Sequence, residues 1–431
     1  MNMPLDDRGD FADALRRAEY DEVAEDEALQ LARAQAAGIV PAVPGPLPAD
    51  AAAVAAAAAA IRGRRQWPLP KQADPNAPLL EVRDLRTWFK LPDGWVKAVD
   101  GVSFSLADGE ALGLAGESGC GKTTTALSLV RILPKNARIR SGSIELFGID
   151  LVSKTEEQMR RYRWREISMV FQGAMNALNP VRTIGEQIAE PLVERLGEPK
   201  DRAGRRGGEL LELVGIPRKR AAAYPHELSG GMRQRAMIAM ALACDPAIVV
   251  GDEPTTALDV MVQAQILELL ERLRRELGLS LVLITHDLSV IAETCDRVLI
   301  MYAGRVAEEG PVRRMFGAPR HPYTQKLLGA FPNIHADRRT LETIPGSPPD
   351  LRQPPPGCRF HPRCPVAMDV CREVEPPEVR FPDGIRVACH LYPAGRDGAT
   401  AVAPPTDASA VAGTVASTAV APGGPGAGGP P

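Results

Sequence analysis

The run Gly116-Glu117-Ser118-Gly119-Cys120-Gly121-Lys122-Thr123 spaces three glycines, a lysine and a threonine as a phosphate-binding loop requires. Glycines let the backbone wrap closely enough to turn its N–H groups on phosphate oxygens, and a helix that follows aims its positive dipole end at the same anion. Lys122 would neutralise the β- and γ-phosphates of a nucleoside triphosphate, and Thr123 would offer its hydroxyl to Mg²⁺. A second pair, Asp252 and Glu253, ends an apolar run at 247–251. Two adjacent acids can divide two roles, Asp252 holding the metal and Glu253 orienting or deprotonating an attacking water. Cys120 has no base beside it in the sequence and reads as a small filler of the loop, not a nucleophile.

These groups need strands to deliver them. From residue 79 onward short apolar runs alternate with longer segments of 3.6-residue period, the pattern of an α/β domain with mostly parallel strands. Buried strands are predicted at 111–115, 167–171, 247–251 and 280–285, each ending where a reactive residue begins. A helix is predicted at 124–133, directly after the loop. Residues 79–89 and 96–106 flank Pro92-Asp93-Gly94 and read as a β-hairpin at the domain edge. After Asp259, Val262, Ile266, Leu269, Leu270, Leu273 and Leu277 recur on one helical face, with Asp259 as N-cap and Gly278 as the stop.

The chain has 431 residues, enough for two or three domains. Lys and Arg total 51 against 54 Asp and Glu, a formal charge of −3, so no global positive field exists to hold a nucleic acid. The apolar run at 51–61 is about half of the roughly 20 residues that cross a bilayer. Asp6, Asp7 and Asp10 stand where a secretory signal needs cations, so a cytoplasmic protein is expected, its seven cysteines thiols or metal ligands. The 39 glycines and 40 prolines crowd toward the ends. The expected organisation is a mostly disordered, low-complexity N-terminal extension at 1–78, with a helix near 11–37, and a catalytic domain at 79–331. A Cys-containing extension at 332–392 and a disordered Pro/Gly/Ala tail at 393–431 follow.

Leu228-Ser229-Gly230-Gly231-Met232-Arg233-Gln234-Arg235 lies between the two phosphate motifs. Together with Phe171-Gln172, the octet Asp-Glu-Pro-Thr-Thr-Ala-Leu-Asp at 252–259 and Thr285-His286-Asp287, it resembles the nucleotide-binding subunit of an ATP-binding cassette (ABC) transporter over residues 79–331. The resemblance implies a P-loop ABC ATPase domain with a parallel-sheet core, an antiparallel β edge and a helical signature subdomain. It implies ATP on Gly116, Glu117, Ser118, Gly119, Cys120, Gly121, Lys122, Thr123 and Thr124, with Mg²⁺ on Thr123, Gln172 and Asp252. Glu253, His286, Gln172 and Lys122 would be catalytic, His286 bonding the γ-phosphate. Ser229, Gly230 and Gly231 would bind the γ-phosphate of ATP held by an opposite subunit, and Asp259 would reach across the same interface. Phe89, or less well Trp88 or Trp95, would stack on adenine. Since the chain holds one loop and one signature, two such domains must meet head to tail around two ATPs.

His321-Pro322-Tyr323-Thr324, Ile344-Pro345-Gly346-Ser347-Pro348 and the stretch 357–365 resemble the C-terminal region of oligopeptide and dipeptide importer ATPases. The stretches 176–180 and 224–242 agree, the latter favouring the D-type subunit. The resemblance implies ATP hydrolysis that powers peptide import at the cytoplasmic face of the membrane. Implied partners are a second ABC ATPase subunit, two integral membrane permease subunits and, indirectly, an extracytoplasmic peptide-binding protein. Gly173-Ala174 stands where Asp-Pro is usual, and Gly251 where Ala is common. Cys358, Cys364, Cys371 and Cys389 offer four soft ligands; their spacing leaves iron–sulfur, zinc and free or disulfide-linked thiols open. The resemblance implies a [4Fe-4S] cluster of structural or redox-sensing role, with His361 and His390 as substitute ligands. Cys244 and Cys295 read as core residues. Alternatives are an importer ATPase for nickel or another small solute, an iron–sulfur regulator, and a soluble ABC ATPase acting on DNA or ribosomes. Only 113 residues separate Gly116 from Ser229, which leaves no room for the long coiled-coil insertion of the last.

Overall fold

In the computed structural model, which describes residues 77–173, 177–256, 258–330, 344–395 and 398–402, the short apolar runs become the parallel centre of a sheet. The expectations for residues 1–76, including the helix near 11–37, for Ala174 and Asn176, for 331–343 and for 403–431 lie outside the described residues.

The first sheet is antiparallel. Its strands are β1 (Leu80–Leu91), β2 (Gly94–Leu106), β4 (Ala137–Leu146) and β5 (Ile149–Asp150), in the order β2-β1-β4-β5. Pro92 and Asp93 turn the chain between β1 and β2, which pair Leu91 with Gly94 and Leu80 with Leu106. The second sheet is centred on β3 (Ala111–Ala115), β6 (Ile167–Val170), β7 (Ile248–Asp252), β8 (Ser280–Ile284) and β9 (Arg297–Tyr302). These five are parallel, in the order β9-β3-β8-β7-β6. Every residue of β3, β7 and β8 is buried, which is why they read as continuous apolar runs without alternation.

Helices cover this sheet where the periodicity placed them. Val260–Leu277 starts on Asp259, whose carboxylate accepts the Val262 N–H at 2.9 Å, and stops at Gly278 with φ of 63°. Ile266, Leu269, Leu270, Leu273 and Leu277 are buried. Val262 instead packs on the neighbouring helix Gly230–Ala241: a Cβ added to Gly231 would come within 2.7 Å of Val262 Cγ1. The helix after the phosphate loop is shorter than 124–133 and begins earlier, at Lys122–Leu129, because Gly121 caps it in the left-handed region. Ile184–Leu196, Lys200–Leu213 and Gly230–Ala241 share one apolar core through Ile188, Leu192, Leu210, Leu211 and Ala236.

The C-terminal extension continues the main sheet. β10 (Arg305–Pro311) turns back antiparallel on β9, and β12 (Arg386–Ala388), β11 (Glu378–Arg380) and β13 (Thr400–Ala401) follow outward. β13 lies beyond the composition boundary at 392. A two-residue strand has no apolar run of its own, and its order comes from pairing with Val379 and Arg380. Buried charge fastens the extension: Arg386 donates to Glu309 from Nε at 2.9 Å and to Glu378 from Nη1 at 2.8 Å, while Arg297 holds the other Glu309 oxygen. Removing one member of a buried ion network leaves charge without compensation. Glu309→Ala is therefore expected to lower unfolding stability by roughly 3 kcal/mol in urea titration; a loss below about 1 kcal/mol would mean that water takes its place.

Candidate active site

Between β3 and the helix Lys122–Leu129 the chain makes the tight loop that the glycine spacing required. Gly116, Gly119 and Gly121 have φ of 142°, 77° and 109°. At Gly116 a Cβ would lie 2.2 Å from the Met301 carbonyl oxygen, and at Gly121 2.2 Å from that of Ala98. Side chains are excluded there by backbone, which holds the loop in its tight turn. Lys122 Nζ lies over the loop and donates to the carbonyls of Gly116 at 2.7 Å and Glu117 at 3.0 Å. Cys120 is buried, and its burial pushes the thiol above its ordinary pKa, so it stays neutral, as its reading as a filler requires.

Strand β7 carries Asp252 to the same end of the sheet, where Thr123 Oγ1 donates to Asp252 Oδ1 at 3.2 Å. Two hard oxygen donors thus stand at the base of the loop, the donor chemistry that Mg²⁺ selects. Burial raises the Asp252 pKa and the adjacent Glu253 adds to it, while Thr123 and Lys122 oppose. Glu253 follows with φ of 48°, a left-handed backbone uncommon outside glycine. Its Oε2 accepts from Gln172 Nε2 at 2.7 Å and Thr256 Oγ1 at 2.9 Å, and its Oε1 lies 3.3 Å from His286 Nδ1. Burial alone would raise its pKa, but the Thr256, His286 and Gln172 contacts outweigh that and hold the carboxyl below the ordinary glutamate value. The structure therefore gathers Gln172, Glu253 and His286, as the sequence predicted. His286 keeps 71% of its side chain exposed, open to a ligand.

Ser229 caps the helix Gly230–Ala241 by accepting the Met232 N–H at 3.3 Å. Phe89 pairs with Ala137, and Thr87, two residues earlier on the same strand, bonds Ser128 of the loop helix through hydroxyls at 2.9 Å. Strand alternation puts Phe89 on that face. Trp88 points the other way, donates to Asp100 at 3.3 Å and lies 6.4 Å from Trp95 between ring centroids, with Arg140 over both rings. Sequence reasoning missed three contacts. Thr256 lay in the octet at 252–259 without a role. Tyr323 and Arg363 lay in the C-terminal motifs, yet both reach Glu117 of the phosphate loop.

Burial pushes the Cys389 thiol up to about 12. All seven cysteines are free. Among the described residues, however, no group of three or more His, Cys, Asp or Glu side chains is arranged to hold a metal ion. The arrangement therefore lends no support to the expected [4Fe-4S] ligand set on Cys358, Cys364, Cys371 and Cys389. Burial is the main influence on Cys358, Cys364 and Cys389 and raises the pKa of each thiol. Of the substitute ligands, His361 has its Nδ1 2.9 Å from the Cys358 carbonyl and His390 its Nε2 2.9 Å from that of Val374. Cys244 and Cys295 are buried core thiols, both pushed to about 12 by burial. No helix among the described residues is long and apolar enough to cross a membrane.

Residues 99–256 match the family model described as ABC transporter, and residues 307–371 match the C-terminal region of oligopeptide/dipeptide transporters. The oligopeptide transport ATP-binding protein OppD of Escherichia coli strain K12 is 49% identical over 313 residues, 72% of this chain and 92% of that protein. A probable peptide ABC transporter ATP-binding protein of Sinorhizobium fredii is 48% identical over 323 residues, 74% of this chain and 96% of its own. A putative peptide import ATP-binding protein of Brucella abortus is 50% identical over 302 residues, covering 70% and 91%.

Because Thr256 is the leading hydrogen-bond donor holding Glu253 acidic, Thr256→Val is expected to raise the Glu253 pKa. Carboxyl-carbon NMR titration measures this directly, and an unmoved titration would show that the hydroxyl does not set the charge of this group.

Proposed function

This chain belongs to the ATP-binding subunits of oligopeptide and dipeptide ABC importers, and from that membership we propose that it is a D-type subunit hydrolysing ATP to power peptide import. The observation that carries the reading is the Glu253 carboxylate, ionised and held by Gln172, Thr256 and His286, beside the Thr123–Asp252 pair and the glycine loop. The loop amides other than those of Glu117 and Cys120, together with Lys122, bind the β- and γ-phosphates, and Phe89 takes adenine. Thr123 and Asp252, with Gln172 nearby, would hold Mg²⁺, which supplies charge neutralisation between the phosphates. Glu253 accepts a proton from a water whose oxygen bonds the γ-phosphorus as the bridge to ADP breaks. Gln172 and His286 fix the direction of that carboxylate, and His286 meets the γ-phosphate.

Ser229, Gly230 and Gly231 act on a nucleotide held by the second ATPase subunit, with Asp259 at the same interface. ATP supplies the charge that closes the two half-sites, and phosphate loss releases them. The released stroke moves two permease subunits, so the protein works at the cytoplasmic face of the membrane, downstream of an extracytoplasmic peptide-binding protein. Glu253→Gln is expected to keep ATP affinity while phosphate release falls on the order of 10²-fold or more. The ATP-bound pair should then accumulate in size-exclusion runs with the partner subunit. Normal hydrolysis by that variant would remove Glu253 as the base.

The four extension thiols are where the iron–sulfur reading would apply, and it requires the sulphurs to lose protons and close up as ligands. Iron and acid-labile sulfide assays on anaerobically purified protein decide it. Stoichiometric iron lost in Cys358→Ser supports a cluster, and iron-free protein removes it.

A further inference from the structure

Glu117, the second residue of the phosphate loop, is held at three points, one by Tyr323 and two by Arg363 of the extension. Its N–H donates to the Tyr323 hydroxyl at 2.9 Å, and its two carboxylate oxygens accept from Arg363 Nη1 at 2.6 Å and Nη2 at 2.9 Å. Its carbonyl also accepts from Lys122. Arg363 has little freedom to do otherwise: Nε donates to the Pro345 carbonyl at 2.8 Å, Nη1 also reaches the Tyr302 hydroxyl at 3.2 Å, and only 6% of the side chain is exposed. Tyr323 is fully buried in a cluster with Tyr302 and Phe360, at 4.6 and 5.3 Å between centroids, and its N–H donates to His321 Nδ1 at 3.0 Å. Burial depresses the His321 pKa to about 4, so this acceptor nitrogen stays unprotonated and the seat of Tyr323 does not change through neutral pH.

A glutamate beside the phosphate loop is unfavourable for a polyanion. Its carboxylate would repel the phosphates and draw Lys122 away from them, unless another cation occupies it in a fixed geometry. A guanidinium does this with two parallel hydrogen bonds, which a point charge such as lysine does not reproduce.

We propose that Arg363 is a positioning residue for ATP binding, neutralising Glu117 with a bidentate pair so that the loop and Lys122 face the nucleotide without a competing negative charge. The inference rests on the assignment of ATP to this loop. It makes the extension part of the nucleotide site, contributed from 246 residues away.

Calorimetric titration of the full-length chain with MgATP tests it. Arg363→Ala is expected to raise the ATP Kd about tenfold, less at high salt, which screens the exposed Glu117 charge. Turnover with the partner subunit should show the loss in KM more than in kcat. Adding Glu117→Gln to Arg363→Ala should restore most of the affinity, a recovery that a purely structural role would not give. Wild-type Kd in Arg363→Ala, or a double variant as weak as the single, overturns the proposal. Should Arg363→Ala not fold, Arg363→Gln with and without Glu117→Gln gives the same comparison. Wild-type protein that binds no MgATP would instead refute the assignment of nucleotide to the loop.

Discussion

Everything at the site depends on a loop whose backbone is shaped from outside. Gly116 and Gly121 are pressed against the carbonyls of Met301 and Ala98, which belong to β9 of the main sheet and β2 of the antiparallel sheet. Gly304, in the turn after β9, donates its N–H to the Cys120 carbonyl and accepts that of Asp100. The two sheets therefore meet at the loop, and each fixes one side of it. A phosphate-binding loop must hold several amides in one direction at once, which isolated glycines would not do given their conformational freedom. The surrounding backbone removes that freedom before a ligand arrives, so ordering entropy is spent on folding and not on binding.

The adjacent acids show how one strand end can carry two chemistries. Asp252, 2% exposed, is shifted upward by burial and by its neighbour, so a cation placed against it relieves an unfavourable charge. Glu253 is shifted downward by donors on three separate segments, the loop after β6, the turn after β7 and the end of β8. Its left-handed backbone points it away from Asp252 and toward those donors. Environments that push two like groups in opposite directions are the means by which one acid serves a metal and the other a proton.

Much of this was legible in the sequence because it is local. Strands β3, β7 and β8 are continuous apolar runs set by burial on both faces, and the loop, the Asp259 cap and the Ser229 cap are fixed by residue type at short spacing. Gln172, Glu253 and His286 were placed together only by the family pattern, since no spacing rule links residues 81 and 33 positions apart. What escaped was non-local and side-chain specific. Thr256 acts through a hydroxyl aimed by a turn, Arg363 through an ion pair across most of the chain, and β13 through pairing alone. For the cysteines the spacing left several chemistries open, because spacing that permits ligation does not by itself set sulphurs at ligand geometry.

Three arginines of the extension each enter the catalytic body and meet an acid there: Arg359 at Asp100, Arg386 at Glu309 and Arg363 at Glu117. Buried pairs of this kind contribute little net stability, because desolvation offsets most of the attraction. Their value is direction. Apolar packing alone would let the extension slide by a fraction of a side chain, whereas three guanidinium groups hydrogen-bonded to fixed carboxylates admit one register. One of those acids, Asp100, lies on β2, which frames the loop; Glu309 lies on β10, the neighbour of β9; the third is in the loop itself. Removing the extension would take one guanidinium from each acid, leaving Asp100 with Arg86 and Arg305 and Glu309 with Arg297 but Glu117 without its ion pair, while exposing Tyr302. With Arg363 in the role proposed above, the unit that holds ATP is the cassette together with the extension that carries this arginine to Glu117.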